Sequence, residues 1–67
     1  MINIQVNNQV YSQHGSLELA QRKLEELFVK VLEAGYVPKI TNTYLDGTLE
    51  GFKYTAGKYH NQINIVL

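Results

Sequence analysis

The residues in this chain with the greatest potential for chemistry lie in its last third, where lysines, tyrosines and a histidine alternate. The segment from Gly51 to Tyr59 contains the glycines and the lysine of a phosphate-binding loop. Such a loop needs four residues between its glycines, a serine or threonine after the lysine, and then a helix, so that backbone amides converge on phosphate. Here five residues intervene, a tyrosine follows the lysine, and the next residues favour a strand. We therefore interpret the segment as a strand followed by a turn.

His14 and His60 are the only side chains whose ordinary pKa suits acid–base chemistry near neutral pH. Neither belongs to a His-x-x-x-His pair or to another spacing typical of zinc and iron ligands. General-base catalysis would also need a nucleophile and a group that orients the imidazole, and the sequence identifies neither. We place His14 in a loop before a helix and His60 at the start of a strand. The sequence thus predicts no enzyme, no catalytic residue, no metal site and no cofactor.

Binding of single-stranded nucleic acid is a second chemistry to consider, because bases stack on aromatic rings while lysines contact phosphates. The residues of these types in the last third are Lys39, Lys53, Tyr54, Lys58, Tyr59 and His60. Surfaces of this kind normally carry a clear basic excess, whereas Asp46 and Glu50 offset two of the three lysines. A small nucleic-acid-binding regulator that uses this surface is therefore the alternative function.

Five tyrosines give the chain a high aromatic content. Tyrosine is enriched at protein interfaces because it buries a large ring while its hydroxyl stays in water. We assign Tyr36, Tyr44 and Tyr54 to the rim of the core and leave the other two for contact with a partner. With the threonines of an almost uncharged sheet face, the predicted partner-binding residues are Tyr11, Thr41, Thr43, Lys53, Tyr59 and His60.

Length and composition exclude several classes of protein. Sixty-seven residues form one domain, residues 1–67, and the absence of cysteine excludes disulfides and cysteine-bound metals. Six basic residues balance six acidic ones, so no net field attracts nucleic acid or an acidic membrane. No apolar run approaches a membrane span, and the first residues lack the features of a signal peptide. We expect a soluble, cytoplasmic domain without membrane contact.

An amphipathic helix from Ser16 to Gly35 is the element around which the chain is organised. Ser16 suits the N-cap, Gly35 suits the left-handed residue that ends a helix, and Pro38 prevents its continuation. Charged side chains at i,i+4 on the outer face are expected to pair as Glu18–Arg22, Arg22–Glu26 and Glu26–Lys30. The apolar residues at three- and four-residue steps, which predict the buried face, are Leu17, Ala20, Leu24, Leu27, Phe28, Val31 and Leu32.

Alternation of apolar and polar residues from Ile2 to Val6 predicts a strand before the helix. Asn7-Asn8 tolerates the positive φ of a tight turn, so Gln9 to Gln13 is the predicted returning strand. The alternative is a single strand followed by a loop to His14-Gly15. The hairpin is the interpretation that we favour.

Three strands are predicted after the helix. Lys39–Leu45 and Thr48–Thr55 flank Asp46-Gly47, the strongest turn signal in the chain. A type I turn with Gly47 as the bulge residue pairs Ile40 with Phe52 on the core face. After Ala56-Gly57-Lys58, residues 59–67 form the last strand, with Ile63, Ile65 and Leu67 directed inward.

These elements predict an α+β fold in which a single helix packs on one face of a four- to five-stranded, mainly antiparallel sheet in the order β-β-α-β-β-β. The expected strand order is 2-1-5-4-3. In gross pattern the chain resembles small sheet-plus-helix modules such as the β-grasp group, and no motif narrows that resemblance. The residues expected on the outer sheet face are Asn3, Gln5, Thr41, Thr43, Leu49, Lys53, Gln62, Asn64 and Val66.

The predicted function is that of a small non-enzymatic protein-interaction module, an inhibitor or adaptor that binds a partner protein or itself. Its size and its amide- and tyrosine-rich composition suggest an origin in a phage or mobile element. The core is thin for an independent fold, and neither predicted sheet edge carries the inward charge or internal proline that discourages edge pairing. We therefore expect a homodimer with Tyr11 or Thr43 near its two-fold axis.

Overall fold

A five-stranded antiparallel sheet carries one helix across one of its faces in the computed structural model, which describes residues 1–67. The strand order across the sheet is β2-β1-β5-β4-β3, and every pairing is antiparallel. The predicted fold and strand order are therefore confirmed. In chain order the elements are β1 (Ile2–Val6), β2 (Gln9–His14), α1 (Leu17–Glu33), β3 (Lys39–Thr43), β4 (Leu49–Ala56) and β5 (Tyr59–Val66).

Both ends of α1 lie where the sequence predicts them. The Ser16 hydroxyl accepts a hydrogen bond of 3.2 Å from the amide of Leu19, which satisfies one of the free N–H groups of the first turn. At the other end Gly35 has φ +93°, and the amides of Gly35 and Tyr36 donate to the carbonyls of Leu32 and Val31. These two bonds form a Schellman motif, which occupies carbonyls that a helix end leaves free. α1 is not long and apolar enough to cross a membrane.

The charged face of α1 differs in detail from the prediction. Arg22 forms its expected ion pair with Glu18, at 3.2 Å. Glu26 instead pairs with Lys23, one turn earlier, at 3.6 Å. The predicted Arg22–Glu26 and Glu26–Lys30 pairs are therefore wrong. Exposed ion pairs of this kind contribute only a few tenths of a kcal/mol to stability. One set of pairs can therefore replace another on the helix surface at little cost in free energy.

The core lies between α1 and the four strands that it contacts, β1, β2, β4 and β5. Phe52 is its central residue, fully buried, with Phe28 of the helix standing edge-on to its ring. No polar or charged residue is buried. The core thus depends on apolar packing alone, and its buried members are Ile4, Ala20, Leu24, Val31, Phe52, Ile63 and Ile65.

Three residues that were predicted to face inward are exposed. Ile40 pairs with Phe52 as predicted, but its side chain is 57% exposed because α1 does not contact β3. Leu67 is 79% exposed and lies beyond the end of β5. Leu32 is 49% exposed because it is rotated by about 100° around the helix from buried Val31.

Leu49 shows the opposite error. We placed it on the outer sheet face, but it packs against the core. The pairing of β3 with β4 is irregular on both sides of Asn42, so the simple alternation of faces fails there. Glu50 consequently lies on the outer face, in a shallow cavity that it shares with Thr41 and Asn64.

The first two hairpin turns form as their sequences predict. Asn7 and Asn8 have φ values of +52° and +70°, as a two-residue type I′ turn requires. In the second turn, Gly47 donates its amide to the carbonyl of Tyr44 and has φ +87°. This is the predicted type I turn with a glycine bulge.

The predicted boundaries of β2, β3, β4 and β5 differ from the observed ones by one or two residues. His14 is the last residue of β2 and does not lie in the loop before the helix, and β3 ends at Thr43 instead of Leu45.

Candidate interaction site

β3 is the least covered element of the fold. It lies at one edge of the sheet, all five of its residues are exposed, and the helix does not contact it. Apolar side chains nevertheless lie along and beside it. Ile40 is 57% exposed, Val37 is 77% exposed, and Leu45 is fully exposed in the following turn. β3 therefore combines a free backbone edge with uncovered apolar surface.

The backbone of β3 has at least one amide that faces away from the sheet. The amide of Tyr44 donates to the carbonyl of Thr48 across the hairpin, at 2.8 Å. Because successive residues of a strand direct their N–H groups to opposite sides, the N–H of Thr43 points away from β4. Proline and charged side chains normally protect an edge strand from pairing with another strand. β3 has no proline and only one charged residue, Lys39, so this edge is open.

The opposite edge, β2, is interrupted by a β-bulge. Ile4 pairs with Ser12 whereas Gln5 pairs with Val10, so Tyr11 is an extra residue without a partner in β1. Tyr11 lines a cavity of about 330 Å³ between the helix and the sheet, in an apolar lining that contains one charged group, Lys30. The pairing of both edge strands is irregular, at Tyr11 in β2 and around Asn42 in β3, but α1 packs against β2 and does not contact β3, so β3 is the less covered edge.

On the sheet face away from the helix, the Gln62 side chain connects β5 with β3 across β4. Its Nε2 donates to Thr41 Oγ1 at 3.2 Å and to Asn64 Oδ1 at 2.8 Å. Gly51 makes this possible, because a Cβ at that position would lie 2.5 Å from Asn64 Oδ1 and 3.1 Å from Thr41 Oγ1. Gly51 was not among the predicted site residues, although a glycine inside a strand pattern is itself a signal of close approach.

Two lysines lie directly opposite each other on this same face. Lys39 of β3 pairs with Lys53 of β4, and Lys53 pairs with Gln62 of β5. His60 is opposite Thr55, two residues further along the same strands. Neither lysine forms an ion pair, since both ion pairs of the protein lie on α1.

A cavity of about 580 Å³, which we call the lysine cavity, adjoins this pair. It is lined by residues of the loop after α1 and of β3, β4 and β5, and no carboxylate is among them. Tyr36 and Tyr54 line it as well, with ring centroids 5.5 Å apart. The lysine cavity therefore combines unbalanced positive charge with aromatic surface. Its lining residues are Gly35, Tyr36, Val37, Lys39, Lys53, Tyr54, Thr55, His60, Asn61 and Gln62.

The six predicted partner-binding residues do not form one site. Lys53 and His60 line the lysine cavity, and Thr41 joins them through its hydrogen bond with Gln62. Thr43 lies on the free edge of β3. The remaining two lie elsewhere: Tyr11 in the helix-side cavity, and Tyr59 exposed beside the last turn.

The two histidines each lie near a hydroxyl group. His14 Nε2 is 2.8 Å from Ser12 Oγ, and His60 Nδ1 is 3.4 Å from Thr55 Oγ1. Neither imidazole hydrogen-bonds to a carboxylate, the group that orients the base in a catalytic triad. No three histidine, aspartate or glutamate side chains lie close enough together to hold a metal ion.

The two perturbed pKa values both belong to the turn between β3 and β4. Hydrogen bonds from the Thr48 side chain and backbone hold the pKa of Asp46 below its usual value. Burial raises the pKa of Tyr44, and the nearby charge of Glu50 adds to the increase. The Tyr44 hydroxyl is buried without a hydrogen-bond partner. Both residues lie in the turn at the end of β3, outside the lining of the lysine cavity.

Two surfaces thus stand out from an ordinary solvent-exposed surface: the free edge of β3 and the lysine cavity. They meet at Lys39, which belongs to both. No protein-family model, curated protein or solved structure matches this chain.

Proposed function

We propose that this chain is a non-enzymatic protein-interaction module that binds by strand addition along the free edge of β3, and that a second copy of the chain pairs there. The observation that carries the proposal is that all five residues of β3 are exposed and that the helix does not contact this edge strand. Unpaired N–H and C=O groups on an edge strand are a template for another strand, and main-chain hydrogen bonds supply the affinity. An inhibitor or adaptor acts through such an edge.

The residues of β3 suit pairing with a second copy. Antiparallel pairing around a two-fold axis at Thr41 places Lys39 opposite Thr43 of the partner subunit. The single charge of the strand therefore does not meet its own copy, which would be destabilising. The two copies of Ile40 become diagonal neighbours on the helix side of a continuous sheet, where each covers apolar surface that the monomer exposes.

The size of the core supports the same proposal. Only eight of the 67 residues are buried. A domain this small buries a limited share of its apolar surface and gains stability from association with a second copy. Continuing the sheet through β3 would satisfy backbone groups and cover Ile40 and Val37 without any change in the fold.

The test is the mass of the protein in solution, measured by light scattering behind a sizing column at several micromolar concentrations. We expect the wild type to be a dimer. Thr43→Pro should convert it to a monomer, because proline removes the outward N–H and leaves the bonds to β4 in place. Thr43→Val is the matched control: it keeps the N–H and a β-branched side chain, and should remain a dimer.

Circular dichroism and thermal melting of Thr43→Pro separate loss of the interface from loss of the fold. A folded monomer supports the proposal. A wild type that is monomeric throughout the concentration series contradicts it, and so does a Thr43→Pro variant that remains a dimer. Disulfide crosslinking of a Thr41→Cys variant to itself would independently locate the axis, since only pairing centred there brings the two copies of residue 41 together.

A further inference from the structure

We propose that the lysine cavity binds a small phosphorylated molecule that carries an aromatic ring, such as a nucleoside monophosphate. The site shares only Lys39 with strand addition at β3, and the rest of its lining belongs to β4, β5 and the loop after α1. Three features of the cavity lead to this ligand: its charge, its free hydrogen-bonding groups and its aromatic wall.

The charge of the cavity calls for an anion. Like charges directly opposite each other on neighbouring strands are destabilising, and Lys39 and Lys53 are such a pair. No carboxylate lines the cavity, and neither lysine is ion-paired. An anion held between the two ammonium groups would remove the repulsion and gain two charge-assisted hydrogen bonds. Phosphate fits this arrangement, since lysine binds phosphate as a point charge.

Histidine adds a further donor at the same place. His60 lines the cavity, and its Nδ1 faces the Thr55 hydroxyl at 3.4 Å. Its Nε2 forms no hydrogen bond within the protein. In the tautomer whose Nδ1 accepts from the Thr55 hydroxyl, Nε2 carries the proton and can donate it to a phosphate oxygen.

The size and the aromatic wall of the cavity indicate what the phosphate is attached to. A volume of about 580 Å³ is within the usual range of small-molecule sites. The rings of Tyr36 and Tyr54, tilted by 36° to each other, lie on the helix side of the sheet and reach the same lining beyond the start of β3, where β4 has no neighbouring strand on that side. Any planar aromatic base can stack on a tyrosine ring, because every base has a π-face. A nucleic-acid strand needs a longer basic track than two lysines, and the chain has no net charge to supply one.

The test is a titration followed by amide NMR, with adenosine monophosphate, adenosine and inorganic phosphate as probes. We expect adenosine monophosphate to shift the amides of Lys53, His60 and Gln62. Adenosine should bind at least about tenfold more weakly, because it lacks the group that both lysines contact. Lys53→Gln should weaken the binding of the monophosphate by a similar factor. Lys58→Gln, which changes the net charge equally at the tip of the last hairpin, should leave it unchanged.

A charge reversal gives an independent readout. Lys39→Glu places a carboxylate opposite Lys53, so the pair attracts. We expect this variant to melt at a higher temperature than the wild type without ligand, and to lose the stabilisation that adenosine monophosphate gives the wild type. An ordinary surface lysine would show neither effect.

Several results would overturn the proposal. These are equal affinity for adenosine and its monophosphate, an equal loss in Lys58→Gln and Lys53→Gln, or amide shifts that map away from the cavity. Much tighter binding of a single-stranded oligonucleotide than of the monophosphate, with a steep dependence on salt, would assign the surface to nucleic acid instead. Lys53 lies outside β3, so a failed titration would not contradict the proposed dimer. A monomeric wild type would likewise not contradict ligand binding in the lysine cavity.

Discussion

Phe28 of the helix meets Phe52 of β4 edge to face, with ring centroids 5.2 Å apart and ring planes at 80°. This is a favourable geometry for aromatic pairs, because the positive edge of one ring faces the negative face of the other. Phe52 is fully buried and is paired with Ile63, another core residue, on the neighbouring strand. The contact therefore joins the helix to the middle of the sheet.

The first prediction concerns this contact and its neighbour Leu24, which is also fully buried. Phe28→Ala or Leu24→Ala should lower the free energy of unfolding by about 2–5 kcal/mol, through lost burial and the cavity that remains. Glu26→Ala removes one exposed ion pair and should cost less than about 1 kcal/mol. Urea titrations measure all three values. Similar small losses at Leu24 and Glu26 would contradict the assignment of the helix face.

The spacing of apolar residues predicts which way a side chain points, but it does not predict what lies there. It correctly places Leu24 and Phe28 on the buried face, and the register of Ile40 with Phe52 follows from the Asp46-Gly47 turn. Ile40 is still exposed, because one helix about 10 Å wide cannot cover five strands that are about 4.8 Å apart. How many strands the helix covers depends on the whole fold, and the spacing of apolar residues within one strand does not reveal it.

The candidate sites were predictable to different degrees. The Lys39–Lys53 pair follows from the predicted pairing of Ile40 with Phe52, since these are the adjacent positions of the same two strands. The bulge in β2 was not predictable in this way, because no glycine or proline signals the extra residue at Tyr11. The helix-side position of Tyr11 does follow from the turn, since regular pairing continued from Gln5 and Val10 also places Tyr11 on the side of the buried Ile4.

The second prediction concerns Gly47, whose φ of +87° is strained for any residue with a β-carbon. Gly47→Val should destabilise the protein by about 1–3 kcal/mol, and no neighbouring atom contributes, since the site is open. Gly15→Val is the matched control, because Gly15 is equally open and has no positive φ. If the two variants melt at the same temperature, the turn does not require glycine at position 47.

The third prediction is a pH dependence at Asp46. The Thr48 hydroxyl and amide donate to Asp46 Oδ1 at 2.7 and 3.0 Å, which lowers the pKa of Asp46 from its usual 3.8. Because the pKa is lower in the folded state than in the unfolded state, the stabilisation is complete above the unfolded value. It is lost as the pH falls through the folded value.

An NMR titration of the Asp46 carboxyl group measures this shift. Thr48→Val removes the hydroxyl donor, the larger cause, and should move the pKa of Asp46 back toward 3.8. The same substitution removes a hydrogen bond that Gln21 donates to Thr48 Oγ1 at 2.9 Å. Gln21→Ala is therefore the control, and it should leave the pKa of Asp46 low. An unchanged value in Thr48→Val would mean that the hydroxyl is not the cause.

The last prediction tests the close approach at Gly51. A β-carbon there would lie 2.5 Å from Asn64 Oδ1, the end of a flexible side chain, and 3.2 Å from the backbone carbonyl of Ile63. Gly51→Ala should therefore force the Asn64 carboxamide aside, disturb the hydrogen bond between Gln62 and Thr41, and cost about 1–3 kcal/mol.

A double-mutant cycle separates the side-chain clash from the backbone contact. Asn64→Ala removes the atom nearest to the new β-carbon, so Gly51→Ala should cost at least about 0.5 kcal/mol less in that background than in the wild type. The cost that remains in the double variant reports the contact with the Ile63 carbonyl, which cannot move without moving β5. If Gly51→Ala costs the same in both backgrounds, Asn64 already has room to move, and the backbone of β5 alone requires a glycine at position 51.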